Sequence, residues 1–421
     1  MESLEVQSSS ETVHREEVLH VDSSETNNNN KYTKKNKNKS KLYVWRGGCF
    51  TSERDYPTAH KPYEDRTPET EPGIAGEQSR RTHLVVMVHG IIGSAGNWKF
   101  AAKKFLERYP HDLIVHCSEC NRSMLTLDGV DIMGERLAEE VKSIVKCRPD
   151  IQKISFIGHS LGGLVARYAI GRLYGQILKR QTSDAKDAGT ADESGIPCME
   201  EKLKEKIAEL EPMNFITVAT PHLGTRGNKQ VPLFCGLHIL ENMASRASWM
   251  IGRTGKHLFL TDNDGAKLPL LLQMVGDSGD LRFMSALQSF KRRVAYANAC
   301  YDHIVGWSTS SIRRRDELPK RKDLLRNEKY PHIINVETPK VTSPQQEVLS
   351  EAKVNGDIAT DMEVTEKMIR GLTKVGWERV DVSFSRSKQR ILAHSTIQVK
   401  TYCINSDGAD VILHMIDNFL L

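Results

Sequence analysis

The first sustained apolar run in the chain is Leu84-Val85-Val86-Met87-Val88. Five consecutive apolar residues, mostly β-branched, leave no polar face, which predicts a parallel strand buried on both sides. Comparable runs follow at Asp112-Leu113-Ile114-Val115, Ile154-Ser155-Phe156-Ile157, Phe215-Ile216-Thr217-Val218, Val294-Ala295-Tyr296-Ala297 and Val380-Asp381-Val382-Ser383-Phe384. Val130, Met133, Leu137, Val141 and Ile144 recur at helical spacing, predicting a helix over about 129–146 with Asp128 as its N-cap. A second helix is predicted over Leu164–Leu173, directly after a strand. An amphipathic helix closes the chain, with Val411, Ile412, Met415, Ile416 and Phe419 on one face. Strands alternating with helices predict an α/β fold, a mostly parallel sheet covered by helices on both faces.

The polar stretches set the organisation around that sheet. Residues 1–80 read as a disordered polar extension, with Lys34 to Lys39 as a solvated linker inside it. Residues 81–421 then form one domain with two polar insertions, near 178–206 and 312–372; the second shows little periodicity beyond Ile333-Ile334. The stretch 229–255 carries Leu233, Phe234, Leu237, Ile239, Leu240, Met243, Trp249, Met250 and Ile251. It reads either as a lid that takes up acyl chains or as a pair of core helices.

Composition narrows the classes. With 421 residues and 39% hydrophobic positions, the chain can bury a sizeable core. A net charge of +5, spread along the chain, gives no reason to expect nucleic acid and leaves weak attraction to an anionic membrane open. The eight cysteines show one CxxC pair, Cys117 and Cys120, with no second pair or matching histidines. No metal is expected, and the thiols read as reduced. The first forty residues hold no apolar core of a secretory signal, and no uncharged run reaches the ~20 residues of a membrane-spanning helix. The expected location is cytoplasmic, with peripheral contact with membranes or lipid droplets and a plastid address left open by Ser8 to Ser10. Nothing in the chain fixes an oligomeric state.

The chemistry begins at Gly158-His159-Ser160-Leu161-Gly162, which fits G-x-S-x-G between a predicted strand and a predicted helix. Such a turn is strained and needs small neighbours, and it projects a serine hydroxyl from the strand end as a nucleophile. The amide of Leu161, at the start of the following helix, is one expected donor to an oxyanion. The other is the amide of Ile91, in the loop His89-Gly90-Ile91-Ile92-Gly93-Ser94 after the first strand. A serine needs a histidine to accept its proton and a carboxylate to orient that histidine; in the α/β-hydrolase fold they follow in the order Ser, acid, His.

Asp302 follows a strand at the required place, whereas Asp262, Asp264, Asp277 and Asp280 lie in glycine-bearing turns. Among later histidines, His394 follows the Val380–Phe384 strand. His303 adjoins the acid, His332 lies in the polar insertion and His414 lies in the terminal helix. His89 is expected to shape the oxyanion loop, His159 to point away from the nucleophile, and His222 and Leu223, like His89, to line the substrate site. No cofactor is required.

These residues resemble a group of lipase-like serine esterases of plants and fungi. The similar stretches are Val88 to Gly93, Gly158 to Arg167, Ala219 to Gly224, Leu258 to Asp262 and Tyr296 to Trp307. The resemblance spans about 82–310 and resumes at 377–400. It implies ester hydrolysis, with lipid acyl esters as substrates and lipid droplets or membranes as surfaces of contact, and it places serine, acid and histidine at Ser160, Asp302 and His394. Alternatives left open are a thioesterase or small-ester esterase, and a non-catalytic hydrolase fold serving as a binding or scaffold protein.

Overall fold

A computed structural model describes residues 43–46, 49–52, 81–176, 205–225, 251–263, 267–320, 324–325, 327–339 and 361–421. The stretches 178–204 and 229–250, which hold most of the first insertion and of the expected lid, lie outside the described residues, as does Asp264.

Among the described residues nine strands form one sheet: β1 (Tyr43–Arg46), β2 (Cys49–Ser52), β3 (His83–Val88), β4 (Leu113–Cys117), β5 (Lys153–His159), β6 (Glu211–Val218), β7 (Arg292–Asn298), β8 (Ile333–Glu337) and β9 (Glu378–Val382). Their spatial order is β1-β2-β4-β3-β5-β6-β7-β9-β8. The six strands from β4 to β9 run parallel. Among the described residues of this sheet, antiparallel pairs occur at the two edges, β1–β2–β4 and β9–β8.

The buried runs explain this order. Leu84, Val86 and Val88 of β3 enter one core, and Val85 and Met87 enter the other, as the two-residue period of a strand requires. Helices α2 (Val130–Cys147) and α3 (Leu161–Leu173) cover the first face with Met133, Leu137, Val141, Leu164 and Val165. Helix α1 (Lys99–Arg108) and the terminal helix, Ala409–Asp417, cover the other with Phe105, Leu106, Val411 and Met415.

Three details depart from the sequence reading. The helix after Asp128 is capped by Gly129 at φ 106, and Asp128 instead pairs with Arg136 at 2.6 Å. The first amides of α2 are satisfied from helix α4 (Gly252–Leu258): Gly129 N donates to Thr254 Oγ1 at 3.0 Å and Val130 N to His257 Nδ1 at 3.0 Å. The strands β1 and β2 lie within the polar extension, where Tyr43, Val44, Trp45 and Phe50 are a local apolar island in a polar average. The 312–372 stretch likewise holds the edge strand β8 and helix α5 (Asp361–Leu372), which buries Met368, Ile369 and Leu372.

Candidate active site

The parallel strands converge with their carboxyl ends on one edge, where an open α/β sheet places its ligands. Ser160 occupies the single residue between β5 and α3, with φ 54 and ψ −128. A non-glycine residue rarely holds such angles, and they cost on the order of 1–3 kcal/mol unless the surroundings enforce them. The enforcement is visible: Ser160 N donates to Val218 O at 2.8 Å, and Gly163 N donates to Ser160 O at 3.1 Å. A side chain at Gly162 would collide with the carbonyl oxygens of Val88 and His89, so only glycine lets α3 start against the end of β3. A Cβ at Gly90 would lie 2.9 Å from Ser160 Cβ, so that loop also passes directly over the serine.

Asp302 lies four residues beyond the last residue of β7 and is buried. Its Oδ1 accepts from the amides of Ile304 (3.0 Å) and Val305 (2.8 Å), and its Oδ2 from Asn298 Nδ2 (2.9 Å). Burial pushes this carboxyl up, but His394 and the donors from Val305 and Asn298 outweigh it, and the group sits below the ordinary carboxylate range. His394 lies on the one-turn helix Ala393–Thr396 after β9, its side chain 11% exposed. Its Nδ1 is 3.0 Å from Asp302 Oδ2, and its Nε2 is 3.0 Å from Ser160 Oγ. An ionised carboxylate only accepts, so Nδ1 carries the proton and Nε2 presents its lone pair to the serine hydroxyl.

The expected oxyanion donors flank the serine: Leu161 is the first residue of α3, and Ile91 follows Gly90 in the loop above it. Neither amide donates to a protein acceptor among the described residues. His89 is buried, and its Nδ1 donates to Gly90 O at 3.0 Å; burial lowers its pKa, so it stays neutral. His89 therefore shapes the loop from within.

His222 and Leu223 are placed otherwise than as lining residues. His222 is fully buried, its Nε2 2.9 Å from Thr217 Oγ1 and its Nδ1 3.4 Å from the Arg167 guanidinium. A buried arginine needs acceptors, and it draws both the ring and the carbonyl of His222 inward. Leu223 is buried as well, its amide donating to Thr309 Oγ1 at 2.9 Å.

The other candidates are engaged elsewhere. His332 bonds Asp410 at 2.9 Å, His414 bonds the Tyr296 hydroxyl at 2.9 Å, and His303 is exposed. Asp262 accepts from Leu270 N, and Asp277 accepts from the amides of Met284 and Ser285.

Two contributing residues were not legible as such. His159 reaches the histidine loop: its Nε2 donates to His394 O at 2.7 Å, with the two ring centroids 4.7 Å apart. Burial, then the neighbouring His394, lowers the His159 pKa well below the ordinary value, which keeps it a neutral donor. Asn298 holds the acid by its side chain. The His159 bond joins segments that only the fold brings together, whereas Asn298 reaches an acid four residues further along its own segment.

Burial pushes the Cys120 thiol up to about 12, so it stays protonated. Among the described residues no group of three His, Cys, Asp or Glu side chains is arranged to hold a metal ion. No described helix is long and apolar enough to cross a membrane.

A serine on a strained turn after the fifth strand, hydrogen-bonded to a histidine and that histidine to an aspartate from later strands, together with the sheet order, defines a protein of the α/β-hydrolase class. Residues 78–312 match the family described as "Putative serine esterase (DUF676)", and the chain belongs to that family. It is 29% identical over 352 residues to "Putative lipase ROG1" of Saccharomyces cerevisiae, covering 80% of this chain and 43% of that protein. A Schizosaccharomyces pombe protein also described as "Putative lipase" is 28% identical over 243 residues, covering 56% of this chain and 26% of that one. The chain thus spans less than half the length of these relatives. Among solved structures, lipase B of Aspergillus fumigatus is 16% identical, covering 56% of this chain and 41% of that one at a TM-score of 0.30.

Proposed function

We propose that the protein is a serine esterase that cleaves carboxylic esters, with lipid acyl esters as its substrate class. The observation that carries this reading is the hydrogen-bonded line Ser160–His394–Asp302, two contacts of 3.0 Å each. His394 Nε2 takes the Ser160 proton as Oγ attacks the ester carbonyl, and the amides of Ile91 and Leu161 receive the oxyanion. His394 then protonates the leaving alcohol, and water activated by the same base releases the acyl group; Asp302 stabilises the imidazolium in both steps. No cofactor takes part in this scheme.

Exposed apolar side chains near the site residues in sequence favour a lipid over a small polar ester. Ile92 (56% exposed), Met124, Leu125, Tyr301, Ile391 and Leu392 are exposed, and each belongs to a segment that carries or contacts a site residue. The same exposed side chains fit peripheral contact with a membrane or droplet surface. The descriptions of the yeast relatives as lipases point the same way. A thioesterase or short-ester enzyme would use the same residues, so chain length decides. The test is hydrolysis of p-nitrophenyl esters from acetyl to palmitoyl by wild type and S160A. The proposal requires activity that rises with acyl length and vanishes in S160A; activity that survives S160A removes the mechanism, and a strict acetyl preference removes the lipid assignment.

A further inference from the structure

The loop from Gly90 to Gly93 is held in an improbable shape. Ile92 has φ 48, a region that a β-branched residue seldom enters, and its side chain is largely exposed, so packing does not hold it there. Hydrogen bonds do. Gly90 O accepts from Gly93 N at 3.1 Å and from His89 Nδ1 at 3.0 Å. A trans peptide points its N–H opposite to its C=O, so fixing the Gly90 carbonyl on one side sends the Ile91 amide to the other. The next peptide plane is fixed by a residue from outside the loop: Ile92 N donates to Thr126 Oγ1 at 2.9 Å.

Thr126 is itself tied on both sides. Its hydroxyl donates to Ser123 O at 2.6 Å, and Ser123 N donates back to Gly93 O at 2.9 Å. Its carbonyl accepts from Thr254 Oγ1 at 2.7 Å, and that hydroxyl in turn accepts from Gly129 N. Both threonines are buried, Thr126 at 1% exposure and Thr254 at 0%.

We propose that Thr126 is a positioning residue that holds the Ile91 amide toward the developing oxyanion, with Thr254 of α4 as its anchor. This rests on the serine-esterase reading above. Losing the Thr126 hydroxyl frees the Ile92 amide and lets the strained residue relax, which carries the Ile91 N–H off line. Ground-state substrate binding does not use that donor, whereas the tetrahedral intermediate does.

The experiment compares wild type, T126V and T126S in kcat and KM on one p-nitrophenyl ester. It also measures the inhibition constant of a trifluoromethyl ketone of the same acyl length, which forms a tetrahedral adduct. T126V is expected to lower kcat by roughly 10- to 100-fold and to weaken the ketone in parallel, since losing a whole oxyanion donor costs about 10²–10³. KM should stay within about twofold, because uniform binding is untouched. T126S, which keeps the hydroxyl, should restore both quantities to near wild type. If T126V does not fold, T254V reads the same tether from its other end, with the same parallel loss expected. A folded T126V or T254V with kcat and ketone affinity like wild type overturns the tether alone. A wild type that neither hydrolyses the ester nor binds the ketone overturns the esterase reading and the tether with it.

Discussion

Replacing Asp302 with asparagine separates the role of its charge from that of its shape. Oδ1 receives two main-chain amides, from Ile304 and Val305, so the carbonyl oxygen of the introduced amide must take that side. Its NH2 then occupies the place of Oδ2, between Asn298 and His394 Nδ1. Asn298 can adapt, because its Oδ1 has no hydrogen-bond partner among the described residues and can turn to accept. His394 can adapt only by moving its proton: Nδ1 becomes the acceptor, and Nε2 carries the hydrogen toward Ser160 Oγ. The histidine then opposes the serine with a donor and cannot act as a base. The expected loss is about 10⁴ in kcat, about 5.5 kcal/mol of transition-state stabilisation, at little change in KM. The cost to folding is smaller, about 1–3 kcal/mol for the exchanged hydrogen bonds. Steady-state hydrolysis of a soluble short ester, alongside urea denaturation, separates the two. A folded D302N whose kcat stays within about tenfold of wild type refutes this account of the acid.

Two further expectations concern the scaffold. Asp381 is fully buried on β9, where it accepts from Arg313 (2.8 Å), Trp307 Nε1 (2.6 Å) and Asn335 (2.8 Å). D381A leaves a buried guanidinium short of a partner and should lose about 3–5 kcal/mol of stability by urea denaturation; a loss under about 1 kcal/mol contradicts the reading. His83, buried and bonded to Ser155, has its pKa lowered to about 3 by burial and by Lys153. A histidine kept neutral in the fold but free to charge when unfolded supports full stability above about pH 6.5. That stability is lost progressively as pH falls toward 3, by about 2 kcal/mol at pH 5 from this residue. H83Q should flatten the decline of stability between pH 7 and 5, and an unchanged slope rules the residue out as its source.

The central strands were legible because burial on both faces leaves runs of apolar residues, as in Leu84 to Val88 of β3. The closeness of Ser160, Asp302 and His394 follows from the parallel topology, which ends a strand shortly before each of them. Edge elements were not. β8 buries only Ile333 fully, since an edge strand covered on one flank needs no continuous apolar run. In α5 the apolar positions Val364, Met368, Ile369 and Leu372 are spaced for a helix, but Asp361, Glu363, Glu366, Lys367 and Arg370 dominate its composition. The N-terminus of α2 was misread because its first amides find their acceptors on α4, more than a hundred residues away. His222 was misread for a similar reason: a strand-end position suggests the site, but the Arg167 side chain, 55 residues distant, decides where its ring goes. His159 and Thr126 share that character, each being a polar side chain whose partner is set by tertiary contact.

The central claim is that Ser160 is a nucleophile activated by His394. Its most direct test is reaction of the purified protein with a fluorophosphonate, followed by intact mass and peptide mapping. The account predicts one adduct, on Ser160, absent in S160A and strongly slowed in a His394→Ala variant. An unmodified protein, or an adduct on any other residue, contradicts it.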